Sequence, residues 1–107
     1  MEEWYYLNIE LRLGNFTNRY CLSRESLNLM SELEIKENLD TLYNLSSVEV
    51  LTNGTNMISW ENLVLNITYL NGDAFNSQSM SREDFDYDSS ISSVGDILYE
   101  MYNNLIQ

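Results

Sequence analysis

Apolar residues occupy alternate positions near the start of the chain: Tyr5, Leu7, Ile9, Leu11 and Leu13 are separated by more polar neighbours. A period of two predicts a half-buried strand. Gly14-Asn15 then supplies turn chemistry, and Phe16, Tyr20 and Leu22 resume a β-like run, so a β-hairpin is expected. Next the period lengthens. Ser31-Glu32-Leu33-Glu34 has the form of a capping box, in which the serine side chain satisfies a free backbone N–H and the glutamate reaches back. Beyond it Ile35, Leu39, Leu42 and Tyr43 lie on one helix face. Ser23 offers a cap for an earlier short helix over 24–30, so 24–44 reads as one kinked helix or two, ended by Asn44, Ser46 and Ser47.

The stretch from Val48 to Asp73 reads as β-rich. Val48 and Val50 lead to Asn53-Gly54, a strong hairpin signal because both residues tolerate positive φ. Ile58 and Trp60 sit on even positions, whereas Leu63, Leu65, Ile67 and Tyr69 sit on odd ones. A one-residue shift flips every side chain, so a bulge or tight turn is expected at Glu61-Asn62. Asn71-Gly72-Asp73 closes the sheet, and 74–92 reads as a polar, acidic connection. Ser93 caps a final helix with Asp96 in its first turn and a stripe of Val94, Ile97, Leu98, Met101 and Leu105. Trp4, Trp60 and Tyr69 are expected to be at least partly buried, and no internal repeat is apparent. The element order predicts a single α+β domain over residues 1–107. In it a small antiparallel sheet (the N-terminal hairpin plus central strands) packs with one or two central helices and a C-terminal helix.

Charge changes the picture most. The 107 residues carry 17 acids and 5 bases, a net charge of −12. Residues 1–36 hold six acids and four bases, whereas 37–107 hold eleven acids and Arg82 alone. Direct binding to nucleic acid or to an anionic membrane is disfavoured, because both need the opposite sign. A basic protein partner fits. No apolar run approaches the roughly 20 residues that span a bilayer. The acidic start Met1-Glu2-Glu3-Trp4 and the lone Cys21, read as a buried structural thiol, point to the cytoplasm. Asn15, Asn44, Asn53 and Asn66 each begin an Asn-x-Ser/Thr triplet, read here as an accident of composition.

Catalytic chemistry finds little support. The chain has no histidine, which excludes Ser-His-Asp and Cys-His arrangements and any histidine-ligated metal. Its four glycines form no phosphate-binding loop. No enzyme activity, cofactor or metal site is expected. Asp84, Asp86 and Asp88 resemble the first half of a calcium loop, but Ser89 stands where that loop needs glycine and Gly95 where it needs glutamate.

The densest feature is Glu83-Asp84-Phe85-Asp86-Tyr87-Asp88. If extended, it projects Asp84, Asp86 and Asp88 on one side at intervals of about 6.6 Å, the order of successive phosphates along one nucleic-acid strand. Phe85 and Tyr87 then face the other way, as anchors or interface aromatics. The expected partner-binding surface is therefore Glu83, Asp84, Phe85, Asp86, Tyr87 and Asp88, with Asp96 and Glu100 of the adjoining helix adding to the same field.

Small size, the acid excess over 37–107 and the run EDFDYD resemble the small acidic inhibitors that phages and mobile elements deploy against host defence, the anti-CRISPR and anti-restriction DNA mimics among them. These proteins share no common fold, so the resemblance is to a class and carries over no residues. It implies a non-catalytic inhibitor that blocks a basic nucleic-acid groove on a host effector or nuclease. An immunity protein that neutralises a basic toxin, or an oligomeric structural or regulatory subunit, are the alternative readings.

Overall fold

The computed structural model describes residues 3–52 and 60–107, with 47–52 described by backbone alone. In chain order the elements are β1 (Tyr6–Leu13), β2 (Phe16–Ser23), α1 (Arg24–Asn28), α2 (Glu32–Thr52), β3 (Asn62–Thr68), β4 (Ala74–Ser81), α3 (Arg82–Ser89) and α4 (Val94–Ile106). The strands form one antiparallel sheet in the order β2-β1-β3-β4. This is the α+β architecture that the pattern predicts. The alternating residues Leu7, Ile9 and Leu11 of β1 and Leu63, Leu65 and Ile67 of β3 are buried in one cluster with Ile35 and Leu39 of α2 and Ile97, Leu98, Met101 and Leu105 of α4. Helices therefore cover one face of the sheet.

Local signals explain the element boundaries. Gly14 takes φ 57° in the two-residue loop between β1 and β2, a left-handed conformation that costs glycine nothing. At the start of α2 the reciprocal box is complete: Ser31 Oγ accepts from Glu34 N at 3.2 Å, and Glu34 Oε1 accepts from Ser31 N at 3.0 Å. Gly95 lets α4 approach α2 closely, since a Cβ there would sit 2.8 Å from the Lys36 carbonyl oxygen.

Several expectations are corrected. α2 does not stop at Asn44, Ser46 and Ser47 but runs to Thr52, through Val48 and Val50. Ser46 is fully buried, donates its hydroxyl to the Leu42 carbonyl at 2.9 Å, and so satisfies itself without ending the helix. Asn18 of β2 donates to the Ser46 carbonyl at 2.9 Å, tying that turn to the sheet. The hairpin expected at Asn53-Gly54 lies outside the described residues. Trp60 precedes β3, so its different parity needs no bulge at Glu61-Asn62; the irregularity in the ladder falls between Ile67 and Thr68. Residues 74–92 are no loose connection, since they contain β4 and α3. Cys21 is exposed. Trp4 and Trp60 are buried at 3% and 2% exposure and Tyr69 is partly covered at 37%, as expected of all three.

A repeat that the sequence hides is plain in space. Trp4 corresponds to Trp60, Leu7 to Leu63, Ile9 to Leu65 and Leu11 to Ile67, at constant separation. Ile9 and Leu65 also face one another in the β1–β3 ladder, which puts a pseudo-two-fold axis between them. Ser23-Arg24-Glu25 after the first hairpin corresponds to Ser81-Arg82-Glu83 after the second. Arg24 N donates to Tyr5 O at 2.8 Å, and Arg82 N donates to Glu61 O at 2.9 Å. Each guanidinium lies over the tryptophan of its own half, Arg24 at 5.1 Å from the Trp4 centroid and Arg82 at 4.9 Å from that of Trp60. The domain consists of two ββαα halves related by this pseudo-two-fold axis.

Each tryptophan packs edge-on against a tyrosine of the opposite half, Trp4 on Tyr102 and Trp60 on Tyr43. The symmetry breaks at the indole nitrogens. Trp60 Nε1 donates to the Tyr43 hydroxyl at 3.3 Å, whereas buried Trp4 Nε1 has no hydrogen-bond partner among the described residues.

Candidate functional site

The run EDFDYD is helical. Ser81 caps α3 with extended backbone (φ −72°, ψ 160°), and its Oγ accepts from Asp84 N at 3.2 Å. Glu83 and Asp84 then lie in the first turn, where the helix dipole favours negative charge. A helix advances about 1.5 Å and about 100° per residue, so Asp84, Asp86 and Asp88 do not form a row at phosphate spacing. The expectation of one extended acidic edge is corrected on that ground, and so is the shared role for the two rings. Phe85 is 4% exposed, stacked on Tyr43 at 5.2 Å and edge-on to Trp60 at 5.1 Å, whereas Tyr87 is 71% exposed. One ring anchors the helix and the other stands in solvent.

Of the expected site residues, Asp88, Asp96 and Glu100 come together. With Ile91, Met80 and Met101 they line a groove of about 350 Å³ between β4, the α3–α4 connection and α4. Glu83, Asp84 and Asp86 stay on the exposed outside of α3, where Asp86 accepts from Arg82 Nε at 3.0 Å. Among the described residues no group of three or more His, Cys, Asp or Glu side chains is placed to hold a metal ion.

Lys36 reaches into this region from α2, 2.9 Å from Asp96 Oδ1 and 3.2 Å from Glu32 Oε2. Its hydrogen bond to Asp96 lowers that carboxyl below its ordinary value, helped by the Ser93 hydroxyl, and raises the ammonium in turn. The Ser31 backbone N–H, then its hydroxyl, lowers Glu34 in the same way. Groups depressed on folding contribute stability above their unfolded pKa and lose it as pH falls through the folded value, so Asp96 and Glu34 make the fold weaken in acid below about pH 4. Lys36→Met should move the Asp96 carboxyl up toward the ordinary range, as read by NMR titration of its side-chain carbon. An Asp96 titration that does not move would mean that Ser93, and not Lys36, holds it down.

The sheet face opposite the helices has a different character. Asn8, Glu10, Asn66 and Thr68 are all buried there. Asn8 Nδ2 donates to Asn66 Oδ1 at 2.9 Å, Asn66 Nδ2 donates to Glu10 Oε2 at 3.0 Å, and Arg12 donates to Glu10 Oε1 at 2.8 Å. Arg19 Nε donates to Asn8 Oδ1 at 3.2 Å and closes the network. Sequence reasoning missed it, noting Asn66 only as the start of a glycosylation triplet. The legible signal was that Asn8, Glu10 and Arg12 share the parity opposite to the apolar residues of β1.

Charge is thus segregated by layer. The helical segments hold twelve acids and three bases, a net of −9; the strands hold Glu10, Arg12 and Arg19, a net of +1. Comparison with known protein families, curated proteins and solved structures finds no match. Function is to be read from the surface. Among the described residues no helix is long and apolar enough to cross a membrane.

Proposed function

We propose that this protein is a non-catalytic acidic inhibitor that acts in the cytoplasm of a host cell, docking its helical layer on the basic, nucleic-acid-binding surface of a defence protein. The observation that carries this reading is the segregation of charge, −9 over the helices against +1 over the strands. A partner that presents arginine and lysine is drawn to the helical side and to no other, because clustered carboxylates focus a field that one neutral face does not cancel. Mimicry here lies in the field of a helical surface and not in a ladder of evenly spaced carboxylates. Inhibition proceeds by occupancy, which suits a chain without histidine.

The reading is tested by capture and displacement. Immobilised protein should retain basic nucleic-acid-binding proteins from lysate of phage-susceptible bacteria. Each retained protein should release a fluorescent duplex as the acidic protein is added, more weakly at high salt because screening shortens the field to about 8 Å at physiological ionic strength. A duplex that stays bound at saturating inhibitor would overturn the proposal, as would direct retention of the duplex by the isolated acidic protein.

A further inference from the structure

The sheet has two free edges, β2 and β4, which the pseudo-two-fold axis makes equivalent, and they are not alike. β4 (AFNSQSMS) has no charged residue and no proline along its length, although edge strands usually carry one or the other to prevent pairing with a foreign strand. Among the described residues nothing pairs with its outer side. Arg82 N donates inward to Glu61 O, and antiparallel ladders alternate, so the N–H and C=O groups of Ser77 and Ser79 point outward. Ser77 N is already met by its neighbour's Asn76 Oδ1 at 2.9 Å, a bond that an added strand displaces, so Ser79 carries the open outward N–H.

The groove lined by Asp88, Asp96 and Glu100 also takes its other wall from Gln78 and Met80 of β4, so edge and groove are one surface. In the first half, Tyr20 and Leu22 stand where Gln78 and Met80 stand in the second; Tyr20, Leu22 and Met80 all pack against the core, so the polar Gln78 is the difference between the two edges. β2 further carries Arg19, which repels a cationic strand.

We propose that β4 accepts an extended basic segment of the partner as a fifth, antiparallel strand, with alternate arginine or lysine side chains lying in the groove under α4. The added strand sits about 4.8 Å beyond β4 and presents a side chain to the groove at every second residue. Backbone pairing supplies affinity and the groove supplies selection. Met80, Ile91 and Met101 pack the aliphatic stems, and Asp88 and Glu100 receive the charged heads. The inference rests on the proposed basic partner and adds how that partner is held.

A short labelled peptide that alternates arginine and valine is the probe, read by fluorescence anisotropy. Ser79→Pro removes one outward N–H and leaves the β3–β4 ladder its inward bonds, a change that edge strands tolerate. It should weaken binding about tenfold or more with an unchanged melting temperature, and Ser79→Ala should bind as wild type does. A second measurement needs no variant. Peptide residues paired with Ser77 and Ser79 share their face, so with arginines in the groove these are the valines. N-methylation of the valine amides should abolish binding to the wild-type protein, and N-methylation of the arginine amides should spare it. Equal binding of both methylated peptides, or no binding of the parent peptide, overturns strand addition. If Asp88→Asn with Glu100→Gln loses the peptide while both methylated forms bind, the basic partner stands and the fifth strand falls.

Discussion

Phe85→Ala should cost about 3–5 kcal/mol of stability, whereas Tyr87→Ala, two residues along the same helix, should change it by no more than about 0.5 kcal/mol. The contrast follows from the helix. Phe85 is 4% exposed between Tyr43 and Trp60, so its removal leaves a void bounded by two rings that cannot close on it. Tyr87 is 71% exposed and has no such enclosure. Urea unfolding of the two variants decides the matter, because an extended segment pinned by both rings would lose comparable stability from either change.

Trp60→Ala should be as severe, again about 3–5 kcal/mol, because that indole touches Tyr43, Phe85 and the Arg82 guanidinium at once. Trp4→Ala should match it as the symmetry-related position. The two sites should part company on replacement by phenylalanine. Trp60→Phe breaks the hydrogen bond to the Tyr43 hydroxyl, a loss of about 0.5–1.5 kcal/mol beyond the lost ring area. Trp4→Phe instead removes a buried N–H with no partner among the described residues, which relieves a desolvation cost of about 1–3 kcal/mol. Trp4→Phe should therefore unfold at higher urea than Trp60→Phe. Equal midpoints would show that the indole nitrogens do not distinguish the halves.

How much of this was legible in the chain depended on which interaction decided each element. β1 and α4 bury a regular apolar face and β2 half-buries Phe16, Tyr20 and Leu22 on one parity, so their period alone reveals them. β4 was missed because only alternate residues bond to β3 and its side chains bury little, so hydrophobicity marks nothing. The serines near position 46 looked like an ending because the bond from Ser46 to the Leu42 carbonyl is a helical contact that a composition cannot display. α3 was within reach. Ser81-x-x-Asp84 has the same form as Ser31-x-x-Glu34 and Ser93-x-x-Asp96, both recognised as caps, but the alternation of acids and rings drew attention to a strand period instead. That error put the expected residues on an extended geometry, although Asp88, Asp96 and Glu100 do line one groove. The pseudo-symmetry stayed hidden because the two halves share hydrophobic class more than identity, and because the second hairpin has the longer turn.

The backbone repeats itself across the axis, but the charges do not. Residues 4–52 contain seven acids and four bases, whereas 60–107 contain eight acids and one base. A nearly symmetric skeleton with so lopsided a distribution has a permanent electric moment directed from one repeat to the other. In the field of a cationic surface such a body rotates before it touches, and the repeat made of β3, β4, α3 and α4 arrives first. The first repeat follows with the charge of α2, whose five acids and one base complete the same helical side.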